Sequence, residues 1–237
     1  MKFIIANWKM NGNLSLIEEF KGEFSNKRSN EEVKVIICPP VSLINKFVSE
    51  KCEKTLVGAQ NCFYKDSGAF TGENSPKLLK ELGCEYVILG HSERRNIFNE
   101  SDELIFNKWN AAITKDLTPI LCIGEKADER SRWKDVLAAQ LESYYKDSSL
   151  DFHGTIFAYE PVWSIGTGKI PSVEEIGEVM MFIRNLLGSS KNYYVVYGGS
   201  VNGDNASDIL KISELDGVLV GSASLKPDEF KKIIDAA

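Results

Sequence analysis

Eight short apolar runs recur along the chain at intervals of about thirty residues. They are FIIA (3–6), VKVII (33–37), TLVGA (55–59), YVIL (86–89), TPILCI (118–123), TIFAY (155–159), YYVVY (193–197) and GVLV (217–220). A strand with one wet face alternates polar and apolar residues. An unbroken apolar run of this length, rich in β-branched residues, reads instead as a strand buried on both faces. Amphipathic segments with helix start and stop signals lie between the runs. Ser75-Pro76 offers an N-cap and a proline at the first helical position before KLLKELG. Ser172 and Glu175 form a capping box ahead of IGEVMMFIRNLLG, and Gly188 is the natural stop. Lys226-Pro227-Asp228-Glu229 opens a last helix with acid in its first turn, and residues 101–115 and 132–146 also read as helix.

Strand and helix therefore alternate about eight times with no low-complexity linker. This pattern predicts one α/β domain over residues 1–237: a closed (β/α)8 barrel, eight parallel strands inside a ring of helices. A doubly wound open sheet is the alternative, but it calls for a GxGxxG fingerprint after an early strand, and none is present. YGGSVNG breaks that pattern at Ser200 and follows the seventh run. SIGTGKI is not a nucleotide P-loop, because Trp163 and Ile170 stand where Gly and Ser or Thr belong.

Composition narrows the partners. A net charge of −6 argues against nucleic acid and against anionic membranes, so any anionic ligand needs a local positive site. No apolar stretch approaches membrane-spanning length, and MKFIIANWKM is too short in apolar residues for a secretory leader. Five scattered cysteines, an odd number without CxxC spacing, read as reduced thiols in the cytoplasm. Two histidines and no HExxH give no pattern for a His-based metal site.

In a barrel of this kind the C-terminal strand ends share one face, and that face carries the active site. Asn7 and Lys9 follow the first run, His91 the fourth, and Glu160 the sixth. Gly198, Gly199 and Ser200 follow the seventh run, and Gly221 and Ser222 the eighth. In AYEPVWSIGTGK, Pro161 stops the strand just after Glu160, and Gly166 to Lys169 close a hinge-like segment with the design of a lid. A carboxylate base, an imidazole, a cation and glycine-containing turns together match proton abstraction beside a carbonyl in a phosphate-bearing substrate. Plainer roles stay open at several positions. Lys9 is either functional or a solvated charge. Glu93 either orients His91 and Lys9 or pairs with Arg94 or Arg95. Tyr197 either braces a closed lid or fills the barrel. Cys122 reads as packing, without a local His or Asp to activate it, and His153 as a surface residue on the opposite face.

ANWKMNG, GAFTGE, LGHSERR, CIGE, AYEPVWSIGTGK, YGGSVN and LVGSASLKP, in this order, resemble the triosephosphate isomerase family from residue 3 to about residue 230. The resemblance implies a cofactor-independent isomerase acting on a phosphorylated triose. Within it Glu160 is the base, His91 the electrophile that polarises the carbonyl, Lys9 the positive charge beside the enediolate, and Asn7 an orienting group. Backbone N–H groups at Gly166, Ser200, Gly221 and Ser222 would hold the phosphate. It also implies a homodimer through the Asn61–Glu73 loop, with Thr71 near the partner's site. The chain departs from the family at Ser222, where a second glycine is usual, and at Ser164, where alanine is common. The segments 21–30 and 130–150 are short for the family.

The roles have a physical basis of their own. Excluding water raises the basicity of a carboxylate, because the ionised form loses solvation. SERR after His91 predicts a helical turn whose N-terminus disfavours imidazolium and leaves a neutral N–H donor. Two other functions compete: a phosphosugar aldolase with Lys9 as Schiff-base lysine, and a non-catalytic barrel that binds phosphate ligands.

Overall fold

The computed structural model describes residues 1–24, 32–50, 55–147, 150–164, 170–188 and 192–237. Its strands are β1 (Lys2–Asn7), β2 (Val33–Cys38), β3 (Thr55–Ala59), β4 (Tyr86–Leu89), β5 (Thr118–Ile123), β6 (Thr155–Tyr159), β7 (Tyr193–Tyr197) and β8 (Gly217–Val220). Each coincides with one of the apolar runs to within a residue. All pairings are parallel, each strand lies beside its sequence neighbour, and β8 returns to β1 to close the barrel. The register Phe3↔Gly217 and Ile5↔Leu219 makes the closure.

The continuous apolar runs are explained by two separate cores. Phe3, Ile5, Ile36, Ile88, Ile120, Ile156 and Leu219 belong to a cluster that fills the barrel. Their sequence neighbours, such as Ile4, Ile37, Val87, Leu121 and Phe157, join a larger cluster with the helices. A residue facing either way is therefore out of water, and period-two polarity has no place.

The helices are α1 (Leu14–Phe24), α2 (Val41–Glu50), α3 (Pro76–Glu81), α4 (Ser92–Ile97), α5 (Asp102–Ile113), α6 (Trp133–Tyr145), α7 (Val173–Leu187), α8 (Ala206–Leu210) and α9 (Pro227–Asp235). The caps read from sequence form: Ser75 accepts from the Leu78 N–H, and Ser172 and Glu175 complete their box. Asn13 caps α1 by accepting from the Leu16 N–H at 2.9 Å, a signal not drawn from the sequence. Among the described residues, no helix is long and apolar enough to cross a membrane.

The Asn61–Glu73 loop contains neither helix nor strand, and its aromatic residues pack on one another. Phe63 packs its ring against Tyr64 and Phe70 at centroid distances of 4.3 and 4.7 Å, and the Phe63 N–H reaches Asn74 O. Tyr197 does not fill the barrel. It lies in the outer cluster between strands and helices, 6.4 Å from the Tyr159 ring.

Candidate active site

Glu160 sits one residue past β6 and is only 2 % exposed. The strand ladder carries on to it, since its N–H donates to Ile123 O at 2.7 Å. The close approach of β5 and β6 at this point requires Gly124, where a Cβ would lie 1.7 Å from the Glu160 carbonyl oxygen. Gln140 on α6 fastens Gly124 from outside, accepting its N–H at 2.8 Å and donating to its carbonyl at 3.0 Å.

Two donors reach the Glu160 carboxylate. The Ser92 N–H, in the first turn of α4, donates to Oε2 at 2.9 Å, and Oε1 lies 3.0 Å from His91 Nε2. Burial alone would push this carboxyl up, but His91, the Ser92 N–H and Lys9 outweigh it and hold Glu160 below the ordinary carboxylate value.

His91 is the N-cap of α4, and its Nδ1 accepts the Glu93 N–H at 3.2 Å. That bond assigns the ring proton to Nε2, the atom facing Glu160. Burial lowers the pKa of His91 and the neighbouring Glu160 raises it, with a net upward direction while the two face each other. The bond to Nδ1 acts the other way, because an imidazolium has no lone pair to accept it. Burial and this bond favour the neutral N–H donor expected from the sequence, against the pull of Glu160 and Glu93 towards imidazolium.

Lys9 has a positive φ of 52°, a conformation uncommon for a residue with a side chain. Three contacts hold it there. Its N–H donates to Asn7 Oδ1 at 3.0 Å, its carbonyl accepts from Gln60 Nε2 at 2.8 Å, and its Nζ donates to Glu93 Oε1 at 2.7 Å. The choice left open for Glu93 is thereby decided. Glu93 pairs with Lys9, whereas Arg94 turns to Glu100 and Arg95 to Asp102, each at 2.5 Å.

These groups line one cavity of about 510 Å³. Asn7, Lys9, His91, Glu160, Ser200, Gly221 and Ser222 all border it, with Gly198 and Gly199 between them. Gly221 precedes a single 3₁₀ turn, Ser222–Leu225, rather than a full helix. Gly166 and the rest of the expected lid closure lie outside the described residues. Cys122 packs inside the barrel and burial pushes its thiol well up, as suits packing. His153 is exposed on the opposite side of the barrel, before β6.

A comparison with known protein families matches residues 2–237 to Triosephosphate isomerase. The chain belongs to the triosephosphate isomerase family. It is 44% identical to the triosephosphate isomerase of Francisella tularensis subsp. mediasiatica (strain FSC147), over 100% of this chain and 97% of that protein. It is 43% identical to that of Aquifex aeolicus (strain VF5), over 98% of each chain. The triosephosphate isomerase of Francisella philomiragia subsp. philomiragia is 40% identical, over 100% of this chain.

Three contributors were not singled out from sequence. Gln60 immediately follows β3, so the strand-end rule that found Asn7 and Glu160 would have found it too. Ser92 acts through its backbone N–H, for which no side-chain signal exists. Glu125, in CIGE, is fully buried, and its Oε1 accepts from Tyr159 Oη at 3.0 Å, Trp163 Nε1 at 2.8 Å and Arg130 at 3.0 Å. Ser164 is buried as well, and its carbonyl accepts from Ser200 Oγ at 3.3 Å.

Proposed function

We propose that this chain interconverts dihydroxyacetone phosphate and D-glyceraldehyde 3-phosphate through an enediolate, without a cofactor. Glu160 is the base, His91 the electrophile, Lys9 the electrostatic stabiliser and Asn7 an orienting group. One observation carries these roles: a buried, ionised Glu160 faces the N–H of His91 at 3.0 Å, at the wall of a cavity that also holds Lys9. A substrate carbonyl entering between them takes the His91 N–H for its own oxygen. Glu160 is then released from one of its two donors inside a site closed to water, and its basicity towards a carbon-bound proton rises. His91 and the Lys9 ammonium receive the charge that develops on the enediolate oxygens.

The phosphate is held by backbone N–H groups at Ser200, Gly221 and Ser222, with Gly166 completing the set. Backbone amides and Lys9 provide the local positive site that the net charge of −6 demands. The aldolase alternative fits less well. Lys9 Nζ is engaged by Glu93 at 2.7 Å and its side chain is 28% exposed, whereas a Schiff-base lysine needs an apolar pocket.

We further infer that the whole chain, residues 1–237, acts as one barrel domain in the cytoplasm and pairs with a second copy through the Asn61–Glu73 loop. Among the described residues Cys38, Cys62 and Cys122 are free and buried, which suits a reducing compartment. A second groove, of about 440 Å³, adjoins Lys9 and His91 and is bordered by Met10, Ile97 and Phe98, which are 95%, 67% and 61% exposed. A partner's loop, with Thr71 at its exposed tip, would cover this apolar rim. Sedimentation velocity at micromolar concentration should give the mass of two chains, and a single-chain mass at that concentration would rule the pairing out.

Steady-state kinetics test the chemical roles. Glu160→Gln keeps shape and polarity but accepts no proton, so kcat should fall below about a tenth of the parent value while phosphate ligands still bind. A variant that keeps more than this fraction would remove Glu160 as the base.

Ser222 tests where the phosphate lies. If only the backbone N–H matters, Ser222→Gly should change kcat/KM by less than about threefold. Ser222→Asp should raise KM at least about tenfold, because a carboxylate about 5 Å from a dianion repels it by at most roughly 6 kcal/mol at an effective dielectric near 20, and tenfold takes only about 1.4 kcal/mol. Unchanged substrate binding in Ser222→Asp would mean that the phosphate sits elsewhere.

A further inference from the structure

A ring on a strand-to-helix turn is only as well placed as the peptide groups that flank it, and His91 sits on such a turn. Gly90 precedes it with φ of 66°. A Cβ there would meet the Arg95 guanidinium at 3.0 Å and Cys122 O at 3.2 Å. The carbonyls on both sides of His91 are held by one residue. Arg95 Nε donates to Gly90 O at 2.7 Å, and the Arg95 backbone N–H donates to His91 O at 3.1 Å.

The same guanidinium reaches two other elements. One terminal nitrogen donates to Cys122 O, next to the end of β5, at 3.1 Å. The other donates to Asp102, in the first turn of α5, at 2.5 Å. With its side chain only 15% exposed, Arg95 therefore ties the Gly90–His91 peptide to a neighbouring strand and to the next helix. The planar fork of a guanidinium can serve three acceptors set at fixed angles, which the point charge of a lysine cannot reproduce. The Arg94 N–H also donates to His91 O, at 2.8 Å, so that carbonyl is held twice by backbone alone. The hold on Gly90 O comes from the Arg95 side chain.

We propose that Arg95 is a positioning residue for the isomerisation, clamping the peptide before His91 so that Nε2 stays aimed into the cavity. This rests on the electrophile role of His91 proposed above. Arg95 does not border the cavity. Its effect is on where the imidazole N–H points, and so on the rate of the chemical step rather than on phosphate binding.

The test uses Arg95→Met and Arg95→Lys in the full chain, with His91→Gln as control. Arg95→Met should lower kcat by roughly ten- to a hundredfold, the range expected for displacing a reacting group by about 1 Å, and should move KM by less than about threefold. The chain has only two histidines, so ¹⁵N-histidine NMR reads His91 directly, with His153 at the opposite end of the barrel as internal reference. In Arg95→Met the His91 nitrogens should move away from one protonated and one bare position towards a tautomer average, while those of His153 stay unchanged.

If Arg95→Met fails to fold, the same measurements on Arg95→Lys decide, and a drop in kcat with the His91 shift supports the clamp. A folded variant with kcat within about threefold of the parent, or a loss confined to KM, would overturn it. A loss without any change in the His91 signals would overturn it too. Full activity in His91→Gln would instead overturn the role of His91, and this proposal with it. Loss in His91→Gln but none in Arg95→Met would overturn Arg95 alone.

Discussion

A carboxylate that is 2 % exposed cannot stay ionised unless something replaces the water it has lost, and at Glu160 the replacement comes from another strand. Both donors, the Ser92 N–H and His91 Nε2, belong to the turn after β4. β4 and β6 are not neighbours, since β5 lies between them. Their ends meet across β5, where Gly124, just past that strand, leaves room for the Glu160 peptide. Fold and chemistry are joined at this point. The turn after β4 brings the donors, the donors keep the carboxylate charged, and in the proposed mechanism that carboxylate is the base.

The turn after β4 is itself held from behind. Arg95 grips the peptide before His91. Arg94 binds Glu100, which also receives Lys108 Nζ at 2.5 Å, and Lys108 donates on to Asn61 at 3.0 Å. Lys108 is only 2 % exposed and Glu100 7 %, so this is a buried ionic network, and removing Glu100 would leave the Lys108 ammonium without its carboxylate at a cost of about 3–5 kcal/mol. It links α4 through α5 to the start of the Asn61–Glu73 loop. Order at the turn after β4 and order at the proposed dimer loop therefore share the same buried charges.

Much of this was legible in the sequence. TLVGA, YVIL, TPILCI, TIFAY, YYVVY and GVLV match their strands end to end, because a strand buried on both faces leaves an unbroken apolar run with polar ends. Caps such as Ser75 and Ser172 were readable because they act within one turn of their own helix. Asn7, Lys9, His91, Glu160, Ser200, Gly221 and Ser222 share a cavity because strand ends in such a barrel must share a face. Partner choice was not legible. Periodicity says which way Glu93, Arg94 and Arg95 point but not which charge each meets, and their partners are 84, 6 and 7 residues away. The Glu125 cluster, which joins β6, Trp163 and Arg130 on one carboxylate oxygen, was hidden for the same reason.

In the proposed mechanism a side chain of this protein takes a carbon-bound proton from the substrate and exchanges it with solvent before returning it. Proton NMR of dihydroxyacetone phosphate with the protein in heavy water tests this most directly. The account predicts that deuterium enters at the carbon beside the carbonyl and that glyceraldehyde 3-phosphate appears with deuterium at C2. Product that formed with no deuterium at all would mean that the transferred proton never exchanges with solvent, and would contradict it.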